Sequence, residues 1–366
     1  MTRLHRSVSH GTALLSSADL SDGPAVRELL DLTTTRRRLD LSDLSPADQA
    51  ALATSRATEV LPSAAALAAR LALGRPLRVK FTIEPQGTEF HLGNVVPLLV
   101  VERLRRMGHH VDFVAGDVTV RITDASQAGG ERPRISDADV GESLAAHRRQ
   151  VAPFLDISAV TLRRNSAWLE KTGVPRLIEL AASVPLARTL DRAGLRERLA
   201  GDREVRLDET LYPLVKALDS VELDTDVEVG GVYQRATMAV THEVTARHAA
   251  LPQLGIATPL IEGIDGTGAL MSARTGNHVA LTASAGEVYA ALVAVPDHLV
   301  APYLRALTEW DDAELDATRT RVAAGTATRD AVRHLLAGEL TAAIHGVDAA
   351  MAARAAYRSL DIHPVR

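Results

Sequence analysis

Two rhythms of hydrophobic and polar residues alternate along most of this chain, and the switching between them predicts its architecture. "LRVKFTIE" (residues 77–84) alternates apolar with polar or charged positions as a strand does. The helix that begins near Gly93 carries Val96, Leu99, Val100 and Leu104 at helical spacing, with Pro97 early enough to be tolerated. "HVDFVAGDVTVRITD" reads as strand, "SDADVGESLAAHRRQVAPFL" as helix, "AVTLRRN" as strand and "DETLYPLVKALDSVEL" as helix. "DVEVGGV" is a strand, "ATMAVTHEVTARHAAL" a helix and "ATPLIEGI" a strand. This alternation predicts an α/β fold with a Rossmann-type, doubly wound parallel sheet. Residues 1–75 are polar and then Ala-rich, and "SPADQAALATSRATEVL" and "PSAAALAARLAL" read as helices opened by Ser45 and Ser63 as N-caps. From "SAGEVYAALVAV" onward the pattern is helical. The expected division is a helical N-terminal extension (1–75), a Rossmann-type domain (76–262), a Gly-rich loop (263–280) and an α-helical domain (281–366).

Composition narrows the classes of function. A chain of 366 residues with 46% hydrophobic and 24% charged content is long enough for two or three domains. The net charge of -5 is no global nucleic-acid signature, so an RNA contact requires a local patch. The compact basic run "TTTRRRLD", with Arg36, Arg37 and Arg38, reads as a solvated loop. The absence of cysteine excludes disulfides, thiolate metal sites and cysteine nucleophiles, and it fits a reducing compartment. No apolar run approaches a membrane span and no signal-peptide core opens the chain, so a cytoplasmic protein without membrane contact is expected. No metal site is expected from the pattern of ligating residues.

Candidate chemistry gathers in two loops. "EPQGTEFHLGN" (84–94) is a strand-to-helix turn in which Gly87 and Gly93 allow close backbone approach, and His91 and Asn94 stand at the mouth of a helix N-terminus. Such a terminus favours phosphate. "DGTGALMSARTGN" (265–277) is a second Gly-rich loop directly after the last strand.

Two such loops in this order resemble the HIGH and KMSKS signatures of class I aminoacyl-tRNA synthetases. From about residue 58 the chain is similar to the tyrosyl-type members, through "RITDASQAGGERPRISDADV", "WLEKTGV", "DETLYPLVKALDS", "EVGGVYQRAT" and "AIHG". The resemblance implies activation of an amino acid with ATP and Mg2+, transfer of the aminoacyl group to tRNA or a small-molecule amine, and a homodimer. It also implies that the small C-terminal RNA-binding domain of many bacterial members is missing. His91 and Asn94 match residues that contact the triphosphate, Gly93 the stacking site of adenine, and Gly231 the ribose, with Glu84 on the nucleotide side. Met271, Ser272, Gly276 and Asn277 match the second signature, but Leu270 and Ala273 replace its two lysines, leaving Arg274 as the nearby cation. Asp124, Tyr212 and Gln234 match residues around the substrate ammonium, and Asp219 the acceptor of the tyrosine hydroxyl. Lys80 stands where the family has a tyrosine, Lys216 replaces a glutamine, and Tyr233 replaces the aspartate at the ribose. Lys216 near the ammonium would repel it unless Asp124 or another carboxylate neutralises it, since like charges in a poorly solvated pocket cost on the order of several kcal/mol, so a plain tyrosine pocket is not expected. An internal ion pair between Lys80 and Asp219 would shape the pocket for a smaller or more polar substrate, the alternative being that both lysines reach solvent. A catalytically silent binding protein and a housekeeping tyrosine–tRNA ligase are the competing readings.

Overall fold

The computed structural model describes residues 2–122 and 135–359. Its centre is a six-stranded sheet of β1 (Glu59–Leu61), β2 (Arg78–Ile83), β3 (His110–Ala115), β4 (Thr161–Arg164), β5 (Val227–Gly231) and β6 (Leu254–Thr258), in the order β1-β6-β5-β2-β3-β4. All neighbours pair in parallel except β1, which runs antiparallel to β6. Every residue of β5 and β6 is buried, as expected of central strands covered by helices on both faces. Connections leave β2 in one direction across the sheet and β5 in the other. The gap between β2 and β5 is therefore the topological switch point, where the carboxyl ends of the strands open a crevice.

Three strand expectations shift. The segment "HVDFVAGDVTVRITD" pairs only as far as Ala115, after which Thr119–Arg121 forms a 3-10 turn. A Cβ on Gly116 would lie 2.3 Å from Thr119 Oγ1 and 2.7 Å from Glu84 Oε2, so the chain turns where only glycine fits. The last strand is "LGIAT" rather than "ATPLIEGI", because Pro259 has no N–H to continue the ladder. In the stretch read as purely helical, Glu59–Leu61 extends and adds an edge strand. Elsewhere the signals hold. Ser45 and Ser63 accept from the backbone N–H of Asp48 and Ala66, each at 3.2 Å, and cap their helices. Val96, Leu99, Val100 and Leu104 are all buried on the Leu92–Arg106 helix.

The N-terminal helices Arg3–Ser17 and Gly23–Arg36 pack against the C-terminal helices Asp312–Ala323, Arg329–His345 and Val347–Ser359. The basic run thus departs from its expected role as a solvated loop. Arg36 closes the second helix with no exposed surface, Arg37 is largely covered near Glu339, and Arg38 alone faces solvent. Arg36 donates to both Glu314 oxygens at 2.6 and 2.8 Å, to the Glu309 carbonyl at 3.0 Å and to the Ser7 carbonyl and hydroxyl at 2.9 and 3.0 Å. A charge buried this completely is tolerated because each guanidinium nitrogen is partnered. Among the described residues no helix is long and apolar enough to cross a membrane.

Removing the anion from this pair leaves a buried guanidinium uncompensated. Glu314→Ala is expected to destabilise the fold by about 3–5 kcal/mol, read as a lower midpoint in urea unfolding followed by circular dichroism.

Candidate active site

The mouth of the crevice is built from a cap. His91 precedes the Leu92–Arg106 helix in extended conformation, its Nδ1 accepts from the Gly93 N–H at 3.1 Å, and Asn94 Oδ1 accepts from the His91 N–H at 3.0 Å. Both residues turn their acceptor atoms inward to the backbone. The donors that remain, the Nε2–H of His91 and the side-chain amide of Asn94, belong to the helix N-terminus itself. Burial, and then the neighbouring His278, lower the His91 pKa to about 4, so the ring is neutral near pH 7 and acts as a donor without charge. Gly93 is required here, since a Cβ would lie 2.8 Å from the His91 ring.

Backbone bonds stitch the two loops together. The Leu92 N–H donates to the Val279 carbonyl at 3.1 Å and the Leu281 N–H to the Phe90 carbonyl at 2.9 Å. Asn277 ties the second loop to itself: its Oδ1 accepts from the Ser272 N–H at 2.9 Å and the Thr275 hydroxyl at 2.8 Å, and its Nδ2 donates to the Leu270 carbonyl at 3.2 Å. Ser272 Oγ accepts from the Arg274 N–H at 3.2 Å. Met271 is buried in the core and its N–H bonds the Ile261 carbonyl at 2.9 Å, whereas Leu270, at 53% exposure, and Arg274 face outward.

On the opposite wall, glycines are covered by the side chains that follow them. A Cβ on Gly231 would lie 2.5 Å from Tyr233 Cε1, and one on Gly230 would lie 1.9 Å from Gln234 Oε1. The Tyr233 ring thus lies over Gly231, and the Gln234 amide lies over the end of β5. Glu84 follows β2 and accepts from the Thr119 hydroxyl at 2.9 Å and from the Tyr212 hydroxyl at 3.2 Å. Asp124 lies outside the described residues.

Below this mouth sits a group of four buried charges. Tyr212, Lys216 and Asp219 share one face of the Leu207–Glu222 helix, at spacings of four and three, and that face lies over β2 and β5. Lys80 is 0% and Lys216 1% exposed, so neither reaches solvent. The expected Lys80–Asp219 pair does not form. Lys80 lies opposite Glu228 in the β2–β5 register and pairs with it at 3.3 Å, while donating to Ser220 Oγ at 2.5 Å and the Lys216 carbonyl at 3.3 Å. Lys216 Nζ stands 3.9 Å from both Asp219 and Glu228. Asp219 accepts instead from Trp168 Nε1 at 2.8 Å and Asn165 Nδ2 at 3.5 Å, and Glu228 from Gln253 at 2.9 Å.

The physical balance is visible in the pKa directions. Burial raises Asp219 and lowers Lys80. Burial would also raise Glu228, but the ammonium groups of Lys80 and Lys216 outweigh it and hold the carboxyl below its usual range. Sequence reasoning missed Glu228, Asn165 and Trp168. The signal for Glu228 was present as a lone carboxylate inside the apolar run "DVEVGGV". Among the described residues no three His, Cys, Asp or Glu side chains are grouped to hold a metal.

A parallel sheet whose switch point carries a capped "HLGN" helix on one side and a Met-Ser loop stitched to it on the other is the arrangement of a class I synthetase. The family model described as tRNA synthetases class I (W and Y) matches residues 72–360, and the chain belongs to that family. Its curated relatives place it on the tyrosyl side. It is 34% identical over 280 residues to a tyrosine–tRNA ligase of Desulfotalea psychrophila, covering 76% of this chain and 69% of that protein. It is 35% identical over 282 residues to a tyrosine–tRNA ligase of Idiomarina loihiensis, covering 77% and 70%. A C-terminally truncated mitochondrial tyrosyl-tRNA synthetase of Aspergillus nidulans shares the fold with a TM-score of 0.71 at 19% identity, over 92% of this chain and 99% of that one. A tyrosyl-tRNA synthetase of Archaeoglobus fulgidus solved with L-tyrosine does so with 0.66 at 18%, over 84% and 100%.

The four-charge group makes its own prediction. Glu228→Met alone is expected to cost about 3–5 kcal/mol, because two ammonium groups then share one carboxylate. Lys80→Met with Glu228→Met should recover most of that loss, and a double-mutant cycle in urea measures the coupling.

Proposed function

We propose that the chain is an ATP-dependent ligase of the tyrosyl-tRNA synthetase type, which activates an amino acid as its adenylate and transfers it to tRNA. The observation that carries this reading is the stitched pair of loops at the switch point, which keeps a helix N-terminus with two outward donors facing a second loop held rigid by Asn277. An amino-acid carboxylate oxygen would attack the α-phosphorus of ATP, forming a P–O bond as the bond to pyrophosphate breaks. No covalent nucleophile is needed, so the task is positioning and stabilising phosphate charge.

In this reading His91, Asn94 and the N–H groups beside Gly93 hold the phosphates, and Mg2+ travels on the phosphates, as it does where few carboxylates are offered. Ser272, Met271 and Arg274 form the opposing side, with Arg274 in place of the absent lysines. Tyr212 and Gln234 face the substrate ammonium, Glu84 orients Tyr212, and Tyr233 takes the ribose side over Gly231, while Asp124 is assigned to the ammonium by the resemblance alone. Residues 281–366 would meet the nucleic acid. A groove of about 1150 Å3 there carries Arg305, Arg319 and Arg329, each in an exposed ion pair with Asp312, Asp316 or Asp297, and a polyanionic partner would have to open these pairs.

The same reading makes the protein a homodimer. Val174, Ile178, Leu186 and Leu207 are exposed on neighbouring short helices or helix starts, and Val174–Ala181 is strongly amphipathic, so an apolar face is available for a second copy. Light scattering is expected to give twice the chain mass of 39.1 kDa, and Ile178→Asp to give the single mass.

Amino-acid-dependent exchange between ATP and pyrophosphate tests the chemistry. Exchange should be slow, and Arg274→Ala should lower it by about 10²–10³, the range expected for a lost charged donor. His91→Ala should abolish it, whereas His91→Asn keeps the cap and separates folding from catalysis. If no amino acid supports exchange and no nucleotide raises the melting temperature, the protein is a silent member of its family. Exchange without charging of tRNA would point to a small-molecule amine as acceptor.

A further inference from the structure

Arg56 is a cation in the wall of a cavity with no anion of its own. It follows the Pro46–Thr54 helix and is 7% exposed. Among the described residues it makes one hydrogen bond, from Nη2 to the Trp310 carbonyl at 2.9 Å, and no ion pair. The carboxylate that acts on it, Glu309, is already engaged by Arg103 at 3.2 Å and Arg106 at 3.8 Å. Burial, and then the Arg103 guanidinium, lower the pKa of Arg56, yet a guanidinium keeps its proton near neutral pH. A buried charge that neither pairs nor neutralises itself is costly, and an anion from outside would relieve that cost.

Arg56 stands between two cavities, and Ser55, Arg56 and Arg305 line both. Charge decides which of them can receive the anion. The first, of about 380 Å3 beside the Arg3–Ser17 helix, is also lined by Asp48, Glu309, Asp311 and Asp312, and four carboxylates repel a fifth. The second, of about 470 Å3, has one carboxylate in its wall, Glu262. That carboxylate is turned to other partners: its Oε1 accepts from the Gly268 N–H at 3.0 Å and lies 3.3 Å from His298 Nε2. Arg305 pairs with Asp312 at 2.6 Å, so the guanidinium left for a ligand is that of Arg56.

One such group matches one planar, singly charged carboxylate, whereas a phosphate dianion brings a second charge that nothing in this wall offsets. The remaining lining is largely apolar, with Ala57, Leu260, Leu299, Pro302 and Ala306, and it suits a hydrocarbon body. None of His91, Asn94, Gly231, Tyr233 and Ser272 lines this cavity, so it is separate from the crevice. It nevertheless abuts the segment that holds the second Gly-rich loop, where the Ile261 carbonyl accepts from the Met271 N–H and Glu262 from Gly268.

We infer that this cavity is a binding site for a small monocarboxylate with an apolar body, held by Arg56 against the segment that carries the second loop. The inference does not depend on the ligase reading.

Calorimetry of the full chain with hexanoate, its neutral counterpart hexanol, acetate and inorganic phosphate tests it. Hexanoate is expected to bind about 10–100-fold more tightly than hexanol, the range a hydrogen bond to a charged group supplies, and more tightly than acetate, which lacks the apolar body. Arg56→Met should erase the preference for hexanoate over hexanol. Because that change also removes the bond to Trp310, Pro302→Glu on an exposed position of the same wall gives a second arm: its carboxylate should remove hexanoate binding while the circular dichroism spectrum stays unchanged. Hexanoate binding no tighter than that of hexanol, hexanoate binding that survives both substitutions, tighter binding of phosphate, or binding of none of the four overturns the inference.

Discussion

An ammonium group can be buried beneath a binding crevice only if anions are buried with it, and the middle of this sheet is organised by that constraint. Lys80 sits on β2 with no contact to water, and Glu228 on the adjacent strand is the partner that makes this possible. Glu228 in turn brings Gln253, and Lys216 brings Asp219 with Trp168 and Asn165. The result couples two central strands, the helix above them and the segment after β4 through polar contacts where most sheets of this kind use apolar ones. Disturbing one charge therefore reaches several elements at once.

The mouth of the crevice, the nucleotide side in the proposed reading, is built differently. There the fixed parts are backbone: the N-terminus of the Leu92–Arg106 helix, the capping box of His91 and Asn94, and the bonds from Leu92 and Leu281 across to the other loop. Side-chain cations are scarce, since Leu270 and Ala273 offer none. Dipoles that are held in place do not need to reorganise, which is the property that phosphate chemistry rewards. On the proposed reading, the chain keeps the preorganised half of a phosphate site and carries little of the mobile, charged half.

The legibility of these features in the sequence follows their range. Caps at Ser45 and Ser63, the buried stripe of Val96, Leu99, Val100 and Leu104, and the strand at Lys80 were readable because each is settled within a few residues. The ends of β3 and β6 were misjudged because Gly116 and Pro259 act through a neighbour's side chain and a missing donor, which hydrophobic rhythm does not register. The ion pair was assigned to Asp219 because the resemblance sets Lys80 and Asp219 at the same end of the pocket, whereas the pairing with Glu228 is a matter of strand register between segments nearly 150 residues apart. Likewise "TTTRRRLD" resembles a solvated run until Glu314, far along the chain, is placed against Arg36.

That last contact joins residues 278 apart in sequence. With Arg27 to Asp348 and the packing of the first two helices on the last three, the N-terminal and C-terminal helices of the described residues form one packed group. The N-terminal helices pack on each other, but their contacts with Asp312–Ala323, Arg329–His345 and Val347–Ser359 require closure over most of the chain, which is entropically slow. Strand pairing uses none of these contacts, so the sheet can form first and the docking of the N-terminal helices becomes a late step of folding.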